Sequence, residues 1–212
     1  MSKVFFSVSV SLDGYLVPAG MDLAHAGDPT YEDWGAQWGK LQSWVLATRF
    51  FRENAGLGEG GDTGADNRIA EHAFRRTGVS IMGKRMFDLG EQMWPEEAPF
   101  HTPVFVLTSH PREPWVRPGG TTFYFITDGI AGALRRAREV AGERDIRIAG
   151  GADVIQQYLR AGLVDEFSLA ISPVMFGGGR QLFADTGRVG IELAETIASP
   201  RTTHVRYAVR RS

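Results

Sequence analysis

The feature of this 212-residue sequence that most restricts its fold is an alternation of short apolar runs with longer segments of helical or loop character. The runs are VSIMG, PVFVLTS, TTFYFIT and IRIAGG. Nearly continuous apolar runs of this length are typical of strands covered on both faces. Strands that alternate with helices favour a largely parallel sheet with crossover helices. The sequence therefore predicts an α/β domain with a mostly parallel central sheet.

The two ends of the chain add strands to this sheet in different ways. At the start, KVFFSVSVSLDGYLV alternates apolar and polar residues, which predicts a strand from Lys3 to Ser11 that ends at a turn at Asp13 and Gly14. At the other end, EFSLAISPVMF, GIELAETIAS and THVRYAVRR are successive strand patterns joined by turns. These last segments predict an antiparallel edge.

The region after the first strand has a helical pattern followed by an acidic, glycine-rich segment. Trp34, Trp38, Leu41 and Val45 lie at helical spacing, which predicts a helix from about Glu32 to Phe51. The segment ENAGLGEGGDTGAD, residues 53–66, has almost no apolar content and is expected to be a mobile surface loop, either a lid or a plain insertion. Asp66 or Asn67 is expected to cap the next helix, which Gly78 would stop.

Composition excludes several classes of function. The length of 212 residues fits one domain, residues 1–212, and a formal charge of -2 with a pI near 6.2 gives no field to attract nucleic acid or an anionic membrane. The chain has no cysteine, no signal-peptide core and no apolar run of the roughly 20 residues that span a membrane, so a cytoplasmic protein is expected. Five histidines without ligand spacing predict no metal, and the absence of a GxSxG motif removes the starting point for a hydrolase triad.

A pair of glycines, Gly150 and Gly151, separates the strand IRIA from the amphipathic segment ADVIQQYLRAG. A strand, a glycine turn and a helix together allow the backbone to approach a phosphate, with the first helical amides and the helix dipole favouring the negative charge. The same glycines could also relieve a tight turn without binding anything. The spacing leaves both interpretations open, because the pattern is neither a Walker loop nor a complete dinucleotide fingerprint.

Other candidate residues follow neighbouring strands. Lys84 and Arg85 come after the strand that ends at Gly83, in the crevice where ligands bind to open α/β sheets, although a solvated basic pair is an equal alternative. The segment TSH, residues 108–110, offers hydroxyls and an imidazole at another strand end. Asp13 is either a turn residue or a carboxylate that positions or protonates a substrate. The triple glycine of MFGGGRQLF allows a backbone approach to a ligand or to a neighbouring subunit.

Taken together, SVSLDGYL, VSIMGKRMFDLG, PVFVLTS and IRIAGGADVIQQYLRAGLVDEFSLAISPVMFGGGRQLF resemble the dihydrofolate reductase-like superfamily, and more closely the reductase domain of bacterial riboflavin biosynthesis and its stand-alone relatives. The order of these pieces covers most of the chain outside roughly Val17 to Asp66. The resemblance implies a dihydrofolate reductase-like fold, NADPH as cofactor, a small-molecule substrate and a homodimer. It also implies a non-proline cis peptide next to Gly150.

The resemblance also assigns roles to individual residues. It places the cofactor pyrophosphate at the glycine pair and the following helix, and the adenosine phosphate beside the basic pair. The implied cofactor-binding residues are Gly83, Lys84, Arg85, Thr108, Ser109, His110, Gly150, Gly151, Ala152, Asp153, Gly178 and Gly179. Asp13 is the candidate catalytic residue, and Phe6, Val8 and Trp44 are candidate pocket walls.

The activity implied by the resemblance is hydride transfer from NADPH to a small heterocyclic, imine or carbonyl substrate, similar to 5-amino-6-(5-phosphoribosylamino)uracil reductase. Two alternatives stay open, a pterin or dihydrofolate reductase and a non-catalytic NADPH-binding module. Two departures bear on the choice. Neither Glu32 nor Asp33 aligns with the pterin-binding acid of dihydrofolate reductases, and the chain has no zinc deaminase motif.

Overall fold

The computed structural model describes residues 2–25, 28 and 34–210. Within these residues a nine-stranded sheet forms the centre of the molecule, and a two-stranded ribbon lies beside it. The strands, in chain order, are β1 (Val4–Ser11), β2 (Tyr15–Pro18), β3 (Thr77–Gly83), β4 (Pro103–Leu107), β5 (Trp115–Val116), β6 (Thr122–Ile126), β7 (Asp145–Gly150), β8 (Glu166–Ser172), β9 (Gly179–Gln181), β10 (Ile191–Ala198) and β11 (Thr203–Val209).

Helices connect these strands and cover both faces of the sheet. They are α1 (Trp34–Leu41), α2 (Ser43–Leu46), α3 (Arg49–Asn54), α4 (Ala65–Arg75), α5 (Lys84–Met93), α6 (Gly129–Val140) and α7 (Ala152–Arg160), with short 3₁₀ turns at Leu23–His25 and Pro118–Gly120. Among the described residues, none of the helices combines the length and apolar character needed to cross a bilayer.

The strand order confirms the predicted sheet. It is β10-β11-β8-β1-β7-β3-β4-β6-β5. The strands from β8 to β6 in this order are parallel to their neighbours, whereas β10, β11 and β5 pair in an antiparallel manner at the edges. Since parallel strands end at the same edge of a sheet, the residues that follow β8, β1, β7, β3 and β4 share one side of the molecule.

The two faces of the sheet differ in chemical character. Side chains alternate between faces along a strand, and paired residues of neighbouring strands share a face. The first face carries the main core beneath α6 and α7, and the fully buried residues at its centre are Val4, Phe6, Val79, Ile81, Ile146 and Ile148. The second face carries a smaller aromatic cluster beneath α5, which includes Met82, Phe87, Val104, Val106 and Phe123. The polar part of the second face is formed by side chains of β1, β7 and β8.

The predicted helix from about Glu32 to Phe51 is wrong as a single element. The described part forms three short helices, and Glu32 and Asp33 lie outside the described residues. The break before α3 has a local cause: Thr48 adopts an extended backbone conformation, and its side chain accepts a hydrogen bond from the Phe51 amide at 3.1 Å. A new N-terminal cap therefore starts a new helix at this point.

The predicted caps of α4 are also wrong. The N-cap is Gly64, whereas Asp66 and Asn67 lie within the first turn and are buried. Their side chains serve tertiary contacts: Asn67 Oδ1 accepts from the Phe50 amide at 2.7 Å. Gly78 lies inside β3, where a Cβ would be 2.6 Å from the Ala141 carbonyl oxygen. That glycine is therefore required by packing against a neighbouring element and does not end the helix.

The acidic glycine-rich segment is on the surface, as its composition predicts, with residues 56–64 exposed. Its exposed part is nevertheless attached to the fold at Asp62. The backbone of Asp62 exchanges hydrogen bonds with Ala47 and Arg49, at 2.8 and 2.9 Å. Its carboxylate lies 3.3 Å from Arg201.

Candidate active site

The structure gathers the candidate residues at the carboxyl ends of five neighbouring strands. Residues 150–153 follow β7, residues 83–85 follow β3, and residues 108–110 follow β4. Asp13 follows β1, and the triple glycine, residues 177–179, follows β8. Because β8, β1, β7, β3 and β4 are consecutive in the sheet, these segments lie side by side along one edge.

The turn after β7 is open on the side where a ligand could approach. The Gly150–Gly151 peptide is cis, which confirms the prediction made for this junction. Gly150 has a φ of 134°, which favours glycine, whereas Gly151 has a φ of -76° and is the N-cap of α7. Among the described residues, no atom lies within 4 Å of the position that a Cβ on Gly151 would take. A side chain at this position would therefore project into free space in front of the helix.

The turn after β3 packs directly against the turn after β7. A Cβ on Gly83 would lie 2.9 Å from Cγ2 of Val154 and 3.9 Å from the Gly151 amide nitrogen. Gly83 is also the N-cap of α5, so α5 and α7 begin next to each other at this edge. Two helix N-termini at neighbouring strand ends concentrate amide donors where an anion is favoured.

Arg85 is exposed and Lys84 is partly exposed at the start of α5, and each is paired with a carboxylate. Lys84 Nζ forms an ion pair with Asp88 one turn along the helix. Arg85 Nη2 lies 3.2 Å from Asp22 Oδ2, and hydrogen bonds from His25 contribute to a lowered pKa of Asp22 despite the opposing effect of burial. These exposed pairs are weak enough for a phosphate to replace the carboxylates.

The segment 108–110 forms a small hydrogen-bonded turn at the end of β4. The His110 amide donates to Thr108 Oγ1 at 3.0 Å, and Ser109 Oγ lies 3.1 Å from His110 Nδ1. Ser109 and His110 are exposed. The segment is the outermost of the gathered candidates because β4 lies beyond β3 when counted from β7.

Asp13 holds two chain segments together. Its carboxylate accepts hydrogen bonds from Ser11 Oγ at 2.6 Å, from the Phe176 amide at 3.1 Å and from the Gly177 amide at 2.7 Å. The hydrogen bond from Ser11 and those from the two amides lower the pKa of Asp13 below its usual value. A proton donor near neutral pH needs a raised pKa. The geometry therefore supports a positioning role for Asp13 rather than proton supply.

The glycine loop after β8 is tied both to the ribbon and to the start of α7. Gly179 has a φ of 124°, and a Cβ on it would lie 2.2 Å from the Val17 carbonyl oxygen, so only glycine fits where β9 pairs with β2. Arg180 Nη1 lies 3.4 Å from Asp153 Oδ1 in the first turn of α7. This contact brings Gly178 and Gly179 to the same edge as the Gly150–Gly151 turn.

The residues expected to line the pocket lie on different faces of the sheet. Phe6 is fully buried in the main core, where its ring stacks on Phe167 with centroids 4.7 Å apart, and Val8 packs against the same core. Neither residue can line a pocket on the other face. Trp44 does lie on the second face, where its Nε1 donates to Ser9 Oγ at 2.8 Å.

Sequence reasoning missed Arg147, which lies on the same face as Ser9. The signal was present, since Arg147 interrupts the apolar strand IRIA in the middle of the predicted sheet. Its Nε atom is buried and has no hydrogen-bond partner.

Comparison with known proteins identifies relatives of the whole domain. The sequence model of the RibD C-terminal domain matches residues 2–205. The uncharacterized protein YyaP of Bacillus subtilis is 38% identical over 73 residues, which are 34% of this chain and 38% of YyaP. The similarity thus spans little more than a third of this curated relative.

Two solved structures share the fold. A protein of Shewanella sp. PV-4 assigned to riboflavin biosynthesis matches with a TM-score of 0.66 at 19% identity, covering 100% of both chains. Dihydrofolate reductase of Enterococcus faecalis, in a complex with NADP(H), matches with a TM-score of 0.56 at 13% identity, covering 99% of this chain and 97% of the reductase. At these identities the likeness establishes a dihydrofolate reductase-like fold.

Proposed function

Because the chain belongs to the RibD C-terminal domain family, we propose that it is an NADPH-dependent reductase that transfers a hydride to a small heterocyclic, imine or carbonyl substrate. The observation that carries this proposal is the open turn at Gly151. It lies at the N-terminus of α7 and beside the start of α5, at the carboxyl edge of a parallel sheet. This is the arrangement that backbone recognition of a dinucleotide pyrophosphate requires.

The residues around the turn fit the proposed cofactor. The free side of Gly151 leaves room for the pyrophosphate, and the amides of Ala152 and Asp153 begin α7 without intrahelical acceptors. Gly83 permits the close contact between the two turns. The bound cofactor supplies the hydride, and the chain supplies its position and the electrostatic environment.

Lys84 and Arg85 are proposed to select NADPH over NADH. A 2′-phosphate would replace the carboxylates of Asp88 and Asp22 as the ion-pair partner of the two cations. Thr108, Ser109 and His110 offer exposed polar groups on the far side of β3, where the adenine would lie in this orientation. Asp13 fixes the 176–177 turn and through it the glycine loop that would flank the nicotinamide.

A homodimer is part of the proposal. The edge strand β10 exposes Ile191 at 46% and Leu193 at 62%, which is unusual for apolar side chains on a strand with free edge groups. A second copy of the chain would cover this surface. Light scattering at several protein concentrations measures the mass directly.

Titration of the protein with NADPH and NADH, followed by quenching of tryptophan fluorescence, tests the cofactor proposal. We expect NADPH to bind more tightly than NADH, and the preference to disappear in Lys84→Ala with Arg85→Ala. A matched control is Arg138→Ala with Arg144→Ala, which removes two exposed cations near the opposite edge of the sheet. The control variant should keep the preference for NADPH.

Two outcomes would change the proposal. If neither nucleotide binds, the reductase function is removed and only the fold remains. If NADPH binds but is not oxidised with any member of a carbonyl, imine and pterin panel, the chain is a non-catalytic NADPH-binding module. Oxidation with a pterin alone would assign it as a pterin reductase.

A further inference from the structure

A strip of polar side chains from β1, β7 and β8 crosses the second face of the sheet, where a core would normally be apolar. Its members are Ser7, Arg147 and Ser168. The strand register places Arg147 of β7 beside Phe5 of β1 and Ser80 of β3, and places Ser7 of β1 beside Ser168 of β8. Because these residues alternate with the main-core residues of their strands, they all point away from α6 and α7.

Arg147 lies in this strip, and no carboxylate of the described residues forms an ion pair with it. Its Nη2 donates only to the Ser7 carbonyl oxygen, at a long 3.3 Å, and its Nε is buried with no hydrogen-bond partner. None of the ion pairs within the described ranges includes Arg147, and burial lowers the pKa of its guanidinium. A cation that has a buried donor without a partner destabilises the fold unless a ligand compensates it.

Arg76, which lies on the same face, shows how this chain stabilises a structural arginine. Its guanidinium lies 4.1 Å from the centroid of the Phe5 ring, and it forms ion pairs of 2.6 Å with both Asp145 and Glu166. Arg147 has neither kind of support.

Two buried carboxylates of the second face, Glu166 on β8 and Asp66 on α4, are already engaged. Glu166 binds Lys3 and Arg76, and Asp66 binds His204. These carboxylates are therefore committed to other cations, and neither pairs with Arg147.

The strip is also partly accessible. Arg147, Ser7 and Ser168 each keep some solvent exposure, whereas Ser9 and Ser80 on the same face are only 4% and 2% exposed. A small group can therefore reach the centre of the strip. Hydroxyls at two of the accessible positions, together with a guanidinium, are the donors that a carboxylate or phosphate requires.

We propose that Arg147, with Ser7 on the neighbouring strand β1 and Ser168 on the next strand β8, binds a carboxylate or phosphate group of a small-molecule ligand on the second face of the sheet. This position differs from the Gly150–Gly151 turn, since it lies within the strand and faces the side where Trp44 contacts Ser9. This inference rests on the proposed reductase function. For such a reductase, it means that the substrate carries an anionic group that Arg147 binds. The anchor then orients the rest of the substrate toward the strand ends.

Thermal unfolding with simple anions tests the site without knowledge of the substrate. The starting protein is Lys84→Ala with Arg85→Ala, so that the other candidate phosphate site is removed. Sodium phosphate and sodium acetate are each compared with sodium chloride at equal ionic strength, and the two anions distinguish phosphate from carboxylate recognition. An anion present at a concentration of about ten times its Kd should raise Tm by roughly 2–5 °C.

The variants are Arg147→Met and Arg147→Lys, with Arg144→Met as the matched control, because Arg144 is exposed and three positions earlier. Arg147→Met should abolish the anion-induced rise in Tm and should itself have a higher Tm in chloride, since it removes an unpaired buried charge. Arg147→Lys should retain a reduced response, because it keeps the charge and loses the fork of donors. Arg144→Met should change neither quantity.

A purely structural role predicts the opposite pattern. A lower Tm of Arg147→Met in chloride, together with an unchanged response to both anions, would overturn the proposal, as would the absence of any anion response in the starting protein. Failure of the cofactor proposal is a separate result. In that case NADPH does not bind to the unmodified chain, while the Arg147-dependent response to phosphate or acetate persists.

Discussion

His204 Nε2 lies 2.7 Å from Asp66 Oδ1, and the two side chains are each only 8% exposed. The pair joins β11 to the first turn of α4 across 138 residues of sequence. The His204 ring also meets Trp44 edge to face, with centroids 4.7 Å apart, and Trp44 in turn donates to Ser9 on β1. One buried polar contact thus connects the helical layer to β11 on the second face of the sheet.

Removal of the Asp66 carboxylate should destabilise the fold strongly. Asp66→Ala leaves the buried imidazole of His204 without its partner, so the free energy of unfolding should fall by about 3 kcal/mol. Urea unfolding followed by circular dichroism measures the change. Asp62→Ala is the control, because its carboxylate pairs with Arg201 on the surface and should cost at most about 1 kcal/mol. Equal effects of the two substitutions would show that the buried pair contributes nothing special.

Glu166 should make stability depend on pH in the acidic range. Burial opposes its ionisation, but hydrogen bonds from Lys3 and Arg76 outweigh that effect and lower the pKa of Glu166. A lowered pKa in the folded state means that the stabilisation is complete above the usual value for glutamate, about 4.3, and is lost as pH falls through the lower folded value.

Comparison of wild type with Glu166→Gln isolates this dependence. The difference in Tm should be largest near neutral pH and should shrink as pH falls below about 4. Glu53→Gln is the control, since Glu53 forms only an exposed pair with Arg49 at 3.8 Å. A difference in Tm that stays constant from neutral pH to strongly acidic pH would contradict the assignment.

The two glycines of the turn after β7 should respond differently to alanine. Gly150→Ala should lower the free energy of unfolding by about 1 kcal/mol or more, because a φ of 134° is unfavourable for any side chain. Gly151→Ala should leave Tm within about 2 °C of wild type, because its φ is ordinary and its Cβ meets no described atom. If the turn binds the pyrophosphate, Gly151→Ala should still weaken NADPH binding. Unchanged NADPH affinity in a folded Gly151→Ala protein would argue against the pyrophosphate site.

Asp13 should act through the turn that it holds. Asp13→Ala removes the acceptor for Ser11 Oγ and for the amides of Phe176 and Gly177, so the glycine loop should become more sensitive to limited proteolysis. Asp13→Asn keeps one acceptor oxygen and should lie between wild type and Asp13→Ala. Once a substrate is known, Asp13→Asn should lower the rate without moving its pH dependence. A shift of the acidic limb of the pH profile would instead identify Asp13 as a group that exchanges a proton.

Local sequence determined much of the fold because the strands have distinct patterns. Continuous apolar runs separated by helical segments gave the parallel centre, and the turns after Glu166 gave the antiparallel edge. The glycine turn was also predictable, since a strand, two glycines and an amphipathic helix are contiguous in the chain, whereas its cis peptide was expected only from the family resemblance. In each case the sequence pattern that carries the prediction lies within a short segment.

Tertiary structure decided whatever depends on distant partners. No local pattern shows that Asp66 binds His204, that Asp13 is occupied by amides of residues 176 and 177, or that Phe6 stacks on a ring 161 positions later. The same holds for Arg147. Its residue type could be read in the strand, but only the packed sheet shows that its Nε is buried with no hydrogen-bond partner among the described residues. The energy of a charge or polar group depends on what lies within a few ångströms, and in this chain those neighbours come from remote parts of the sequence.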